Sequence, residues 1–192
     1  MAEDDITAPA EPTGMEAFRG PLPAELRLRR TRSVALIIAF LVFVLDQATK
    51  WVVAYPLQIE FRRSIEIVDF FSLTFVRNNG VSLGLLPADG ELGRWLLVAL
   101  TAAIAIFVGL WLWREKRRDD STALALVLGG ALGNIVDRVR LGYVLDYADL
   151  HFGGWRPFLV FNIGDAAITI GVLLLLVRAL LMRDGRAKKK EA

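Results

Sequence analysis

The chain has 192 residues, of which 55% are hydrophobic and 23% are charged, and its formal net charge is +2. The apolar residues lie in long runs, which excludes an ordinary soluble domain. The chain has no cysteine, which excludes disulfides, thiolate catalysis and cysteine metal sites, and its single histidine, His151, excludes a multi-histidine site. No basic patch interleaved with aromatic residues indicates nucleic-acid binding.

Four apolar runs each approach the ~20 residues that a helix needs to cross a bilayer. They occupy residues 33–55, 92–113, 121–141 and 161–182. We therefore predict an all-α membrane protein, with four transmembrane helices in one membrane domain at 33–182. The flanking segments are predicted to be a disordered cytoplasmic tail at 1–32 and a basic cytoplasmic tail at 183–192.

The distribution of Lys and Arg predicts the orientation. These residues are concentrated before the first run, between the second and third runs, and after the fourth, whereas the loops 56–91 and 142–160 hold few. Basic flanks stay on the cytoplasmic side of a membrane. Both termini are therefore expected in the cytoplasm, and both of these loops are expected outside it.

The first outer loop contains a strand pattern. Phe71, Leu73 and Phe75 alternate with polar residues, and a second alternation at 81–85 follows the turn signal Asn-Asn-Gly at 78–80. This pattern predicts a small extracytoplasmic β-hairpin or sheet platform between the first and second transmembrane helices.

Charged side chains inside spans need a reason, because each costs about 2.5–3.5 kcal/mol on insertion scales. Asp46 and Lys50 lie one helical turn apart near the outer end of the first span. The simplest interpretation is an ion pair that orients the helix, and direct contact with a substrate is the alternative.

The third span combines small and polar residues at its outer end. Gly129, Gly130 and Gly133 permit close helix approach. Asn134 and Arg138 lie one turn apart on one helix face, with Asp137 beside that face. These three polar side chains predict a buried network, and the planar guanidinium of Arg138 also suits a lipid phosphate.

The fourth span opens with Asn162 and, three residues later, Asp165. An amide cap followed by an acidic residue is favoured at helix starts, which is the simplest interpretation of both residues. The same position places Asp165 just inside the membrane boundary, near wherever the loop that carries Asp146 folds back.

Two facing carboxylates ~3 Å apart share a proton, so that one can act as a general base on water while the other donates to a carbonyl. Several carboxylates are candidates for such a pair. They are Asp46, Asp137, Asp146, Asp149 and Asp165. Their spacing does not identify the pair, and proton or ion transport is an alternative use of intramembrane carboxylates.

Five segments occur in a fixed order along the chain. They read DQATK at 46–50, VRNNG at 76–80, GGALGNIVDR at 129–138, GYVLDY at 142–147 and FNIGD at 161–165. Together they resemble the motif set of bacterial lipoprotein signal peptidase (signal peptidase II). The resemblance covers roughly residues 46–170 and includes the four-span layout.

The resemblance implies an aspartic peptidase of the bacterial inner membrane, acting near the extracytoplasmic face. Such an enzyme removes the signal peptide from diacylglyceryl-modified prolipoproteins, cutting before the lipidated cysteine. The motifs imply that Asp146 and Asp165 are the catalytic residues and that Asp137 is structural. The implied partners are prolipoprotein substrates and membrane lipid, and no metal or other cofactor is required.

The remaining motif residues are polar side chains to which the resemblance assigns support of the dyad and substrate binding. They are Asp46, Lys50, Asn78, Asn134, Arg138 and Asn162. The sequence departs from the family pattern at 79–84, where NGVSLG replaces a stretch of smaller residues, and at Gly164, where alanine is common. Both departures concern loop conformation and substrate fit, because neither removes a carboxylate.

Two other functions are weaker. An intramembrane protease of the presenilin type would need a further glycine where Asn162 stands and a Tyr-Asp order opposite to that of Asp146 and Tyr147. A small proton-coupled transporter would place acidic residues deep in the spans or show an inverted repeat, whereas the carboxylates here cluster at one end.

Overall fold

The computed structural model describes residues 23–80 and 90–191. Its helices are α1 (Ala24–Ala54), the one-turn α2 (Ile59–Arg62), α3 (Glu91–Arg114), α4 (Arg118–Leu141) and α5 (Ile163–Glu191). The four long helices are each long and apolar enough to cross a membrane. The predicted architecture of four spanning helices is confirmed. The first helix begins ahead of the predicted span at Ser33, and the last continues beyond Met182.

Helix α4 lies at the centre of the bundle and packs against α1, α3 and α5. Half (50%) of its apolar 18-residue stretch is buried, against 17–22% of the corresponding stretches in the other three helices. The outer helices instead expose large apolar side chains such as Phe40 and Phe107. This is the pattern expected of helices that face lipid tails, because lipid does not penalise exposed apolar surface.

Glycines on α4 set the helix spacing. A Cβ atom on Gly129 would overlap the carbonyl oxygen of Ala39 in α1, and one on Gly130 would overlap that of Gly164 in α5. Both obstacles are backbone atoms, which cannot rotate away. The two neighbouring helices therefore approach α4 as closely as a missing side chain permits.

A small antiparallel sheet caps one end of the bundle. Its strands are β1 (Ser64–Val68), β2 (Phe71–Asn78) and β3 (Val144–Leu150), in the order β1-β2-β3. Strands β1 and β2 form a hairpin, and β3 arrives from the loop between α4 and α5 to pair with the other edge of β2. The chain order places the ends of α1 and α4 and the starts of α3 and α5 here, at what we call the sheet end.

The prediction of a small sheet is confirmed, and Phe71, Leu73 and Phe75 lie in β2 as expected. The Asn-Asn-Gly sequence has the local geometry of a turn: Asn78 Oδ1 accepts a hydrogen bond from the Gly80 N–H at 2.8 Å, and Gly80 has φ +81°. The predicted second arm at 81–85 lies outside the described residues. Strands β1 and β3 were not predicted. Strand β3 in particular carries two aspartates, which strands usually avoid.

The close contact at Gly130 yields a stability prediction. Gly130→Ala is expected to lower the free energy of unfolding by about 1–3 kcal/mol, because the new methyl group meets backbone atoms of α5. The matched control is Gly109→Ala in α3, where a Cβ atom meets nothing within 4 Å. Thermal unfolding in detergent compares the two, and equal midpoints would contradict the packing argument.

Candidate active site

Polar side chains from the sheet, α1, α4 and the start of α5 converge at the sheet end. The strands supply Asn78 and Asp146, and the start of α5 supplies Asn162 and Asp165. The central helix α4 supplies Asn134, Asp137 and Arg138, and the last turns of α1 supply Asp46 and Lys50. All of these residues were named from the sequence, and the hydrogen bonds below join all but Arg138 into one network.

Asp146 is held on β3 between two amide donors. Its Oδ1 accepts a hydrogen bond from Asn162 Nδ2 at 2.6 Å, and its Oδ2 accepts one from Asn78 Nδ2 at 2.9 Å. The residue is only 2% exposed. Strand pairing explains the second bond, because Val76 lies opposite Asp146, so Asn78 projects on the same face of the sheet.

Asp165 is fixed by the start of α5. Asn162 Oδ1 accepts a hydrogen bond from the Asp165 N–H at 2.8 Å, while Asp165 Oδ2 accepts one from the Asn162 N–H at 3.3 Å. This reciprocal pair is a capping box built from Asn and Asp. Asn134 Nδ2 on α4 donates to the other oxygen, Oδ1, at 2.8 Å. The helix-start chemistry expected from the sequence therefore also orients this carboxylate.

The two carboxylates line the same cavity of about 630 Å³, together with Asn78 and Leu159. Burial of Asp146 and the nearby charge of Asp165 raise the pKa of Asp146 from 3.8 to about 7. The amides of Asn78 and Asn162 and the charge of Lys50 oppose this rise. Asp146 therefore releases its proton near neutral pH and not near pH 4, and it lines the cavity with a second carboxyl group, an arrangement suited to paired acid and base chemistry.

Lys50 lies at the hub of the network behind the cavity and is 4% exposed. Its Nζ contacts Asp46 Oδ2 and Asp137 Oδ2, each at 2.8 Å, and donates to Asn134 Oδ1 at 3.0 Å. The three protons of an ammonium group thus meet three acceptors, which compensates its burial. The Asp46–Lys50 ion pair expected from the sequence is present, and Asp137 is a second carboxylate partner of Lys50.

Both carboxylates of this hub, Asp46 and Asp137, also accept hydrogen bonds from backbone N–H groups. Asp46 Oδ1 accepts a hydrogen bond from the Gly164 N–H at 2.8 Å, which joins α1 to the first turn of α5. Asp137 Oδ2 accepts one from the Leu145 N–H at 3.2 Å, next to Asp146. The hub therefore positions the backbone beside each of the two carboxylates that line the cavity.

One contributor, Gln47, was not assigned a role from the sequence. Its Nε2 lies 3.0 Å from Asp137 Oδ1, 3.2 Å from the Gly133 carbonyl oxygen and 3.3 Å from Asp46 Oδ2. It thereby links α1 to α4. The available signal was an amide beside Asp46 inside an apolar span, a position that seldom holds a polar group without a partner.

Arg138 stands apart from this network. Within the described ranges 23–80 and 90–181 its side chain makes no hydrogen bond or ion pair, and its Nε is buried without a partner. The guanidinium nevertheless lies close enough to Asp165 and Asp146 to interact with both charges. It is therefore a donor still available to a bound molecule.

The last candidate carboxylate, Asp149, forms its ion pair with Arg156 instead of joining the network. Across the described part of the chain, no group of three or more His, Cys, Asp or Glu side chains is placed to hold a metal ion. The acidic side chains of the network are matched by amide, ammonium and backbone N–H donors.

The chain is similar to known proteins over most of its length. The family model described as signal peptidase (SPase) II matches residues 38–181. The chain belongs to the signal peptidase II family. Lipoprotein signal peptidase of Sphingopyxis alaskensis is 54% identical over 157 residues, covering 81% of this chain and 91% of that protein. The protein of the same name from Rhizorhabdus wittichii is 55% identical over 153 residues, covering 80% and 89%.

A solved structure agrees with this assignment. A bacterial membrane enzyme determined by the in meso method at 1.9 Å matches with a TM-score of 0.67 and 32% identity, covering 77% of this chain and 93% of that one. The resemblance read from the five motifs is thus confirmed. As a signal peptidase II family member with four spanning helices, the chain is an aspartic-type signal peptidase and a multi-pass protein of the bacterial inner membrane.

The raised pKa of Asp146 predicts a pH-dependent stability for this signal peptidase II family member. The folded protein keeps the proton up to about pH 7, whereas an unfolded aspartate releases it near 3.8. The free energy of unfolding should therefore fall as the pH rises through this window. Asp146→Asn should reduce the fall between pH 5 and pH 8 by about 1–2 kcal/mol.

Thermal unfolding in detergent at the two pH values measures this difference. Asp119→Asn is the control, because its carboxylate is 81% exposed at the other end of α4. An equal fall in wild type and Asp146→Asn would show that Asp146 does not titrate in this range.

Proposed function

We propose that the chain removes signal peptides from diacylglyceryl-modified prolipoproteins, cutting before the lipidated cysteine, with Asp146 and Asp165 as its catalytic dyad. Membership of the signal peptidase II family supports the removal of signal peptides from prolipoproteins. The observation that carries the choice of residues is the position of Asn162, whose side-chain Nδ2 donates to Asp146 and whose backbone N–H donates to Asp165, so that both carboxyl groups are held at the wall of one cavity.

The proposed reaction needs one proton on the pair. Asp146 holds it, and Asp165 is the charged partner that takes a proton from a water molecule as this water attacks the scissile carbonyl carbon. Asp146 donates its proton to the carbonyl oxygen. The tetrahedral intermediate then collapses: Asp165 passes its new proton to the leaving amine, and a hydroxyl of the intermediate returns a proton to Asp146.

The surrounding polar groups position this pair. Lys50 bonds Asn134, whose amide in turn donates to Asp165, so the hub fixes the direction of that amide. Asn78 and Asn162 hold Asp146 in the same way. Arg138, with donors to spare, would bind the carbonyl groups of the substrate backbone or a lipid phosphate.

An apolar groove beside the dyad supports a lipidated substrate. Its volume is about 280 Å³, and it runs from Asp165 along the outer face of α5 past Thr169 and Ile170. Phe158 and Phe161 form its other wall. Because the groove continues along a helix that faces lipid, an acyl chain on the substrate cysteine would lie in it without entering water.

The dyad assignment predicts loss of activity on removal of either carboxylate. Asp146→Asn and Asp165→Asn should each lower cleavage of a lipidated prolipoprotein by at least about 10³-fold, because an amide can neither take nor give the shared proton. Purified protein and mass detection of the released signal peptide measure this. Near-normal cleavage by either folded variant would reject the assignment.

Three further comparisons sharpen this experiment. Asp119→Asn removes an exposed carboxylate at the far end of α4 and should leave the rate unchanged. Asp137→Asn separates a structural role from a catalytic one, because a well-folded but inactive protein would reopen the choice of dyad. A substrate without its lipid should be cleaved poorly, and equal cleavage would reject the lipid requirement.

We further propose that both termini are cytoplasmic and that the sheet end faces outward. The concentration of Lys and Arg at the opposite end of the bundle supports this orientation. Because the chain has no cysteine, single cysteines can report it directly. A membrane-impermeant maleimide should label Glu66→Cys on β1 in intact cells, and Lys116→Cys, in the connection before α4, only after permeabilisation. The reverse pattern would overturn the orientation.

A further inference from the structure

The carboxylate of Asp149 is buried and takes no part in the proposed dyad. It is 2% exposed, and its two oxygens receive Arg156 Nε at 3.1 Å and Arg156 Nη2 at 3.2 Å. Thr74 Oγ1, across the sheet on β2, donates a third hydrogen bond at 3.2 Å. The guanidinium is bidentate, the geometry that fixes both partners in orientation as well as distance.

Arg156 begins a segment that forms one wall of the cavity. Leu159, Val160 and Phe161 line the cavity beside Asp146 and Asp165, and Phe158 and Leu159 also line the apolar groove. Leu159 is 84% exposed and Phe158 is 62% exposed, so neither is held in place by its own packing. The position of this wall must be set from its ends.

Both ends of the wall are fixed to the sheet. At its far end, the Phe161 N–H donates to the Ala148 carbonyl at 3.1 Å and the Ala148 N–H donates back at 2.8 Å. At its near end, the bidentate Arg156 side chain reaches Asp149. Between them, residues 157–160 make no hydrogen bond with any residue that the structure describes. At the near end, the ion pair is the side-chain attachment to the sheet, and it follows directly on the paired backbone hydrogen bonds between Trp155 and Phe152.

We infer that Asp149 and Arg156 are a positioning pair that holds the wall formed by residues 158–161 against the substrate. The inference rests on the proposed function for its kinetic consequence, but its structural part stands alone. The dyad has its own supports in Asn162, Asn134 and Asn78. Loosening the wall should therefore weaken substrate binding and leave the chemical step intact.

A spin label tests the structural part without any substrate. The label is attached to Leu159→Cys, which is unique because the chain has no other cysteine. Its mobility should increase when Arg156→Gln is added, and it should stay near the wild-type value with Arg178→Gln. The control breaks a comparable ion pair with Asp119 and Asp120 at the opposite end of the bundle. Unchanged mobility in Arg156→Gln would overturn the inference.

Kinetics test the consequence for a lipidated prolipoprotein. Arg156→Gln should raise KM about tenfold and change kcat less than about twofold, the pattern of lost binding that is equal in ground and transition states. Arg156→Lys should recover part of the loss, because lysine keeps the charge but not the bidentate contact. Arg178→Gln should match wild type.

A double-mutant cycle completes the test. Asp149→Asn should raise KM like Arg156→Gln, and the double variant should be no worse than either single one, because both remove the same contact. A fall in kcat with unchanged KM, or fully additive effects, would overturn the positioning role. If wild type fails to cleave the substrate, the proposed function fails, whereas the spin label still decides whether the pair holds the wall.

Discussion

The site depends on the ion pairs and hydrogen bonds of the Lys50 ammonium group, which is buried at the sheet end of the helix bundle. A lone ammonium there would be costly, and it is tolerated because Asp46, Asp137 and Asn134 accept all three of its protons. Two anions around one cation leave net negative charge, and further donors from Gln47 and two backbone N–H groups offset it. Each of these donors comes from a different part of the fold, so the contacts that compensate the buried charges also bring the elements of the site together.

Such a hub forms only where the helices approach closely. A side chain on Gly133 would overlap the carboxylate of Asp46, and the close packing of Gly130 against Gly164 brings the first turn of α5 to the same place. The Gly164 N–H then reaches Asp46. Glycines that read as general packing residues in the sequence thus provide the space in which α1, α4 and α5 share one polar cluster.

The sequence predicted the helices well because a membrane span is defined by length and apolar composition, which are local properties. It also indicated the polar residues, because a polar or charged side chain inside an apolar span has a free-energy cost that requires a partner or a function. It did not predict β3, because Asp146 and Asp149 are poor strand formers that are tolerated only through partners on other elements. Nor did physical reasoning on the sequence identify which carboxylates face each other. That choice depended on the family motifs, because the contact between β3 and the start of α5 is not local.

The contact between β3 and α5 explains how a strand and a helix can present two carboxyl groups to one cavity. The paired hydrogen bonds between Ala148 and Phe161 fix the chain directly before the helix start. Asn162 follows directly, and its side-chain Oδ1 caps α5 while its Nδ2 donates to Asp146.

The two carboxyl groups of the proposed dyad have different environments because of this arrangement. Asp146 is buried between amides on a strand, and this burial raises its pKa, whereas Asp165 lies in the first turn of a helix and is held by the capping box with Asn162. The different environments of the two members of the proposed dyad therefore arise from the secondary structure that carries each residue.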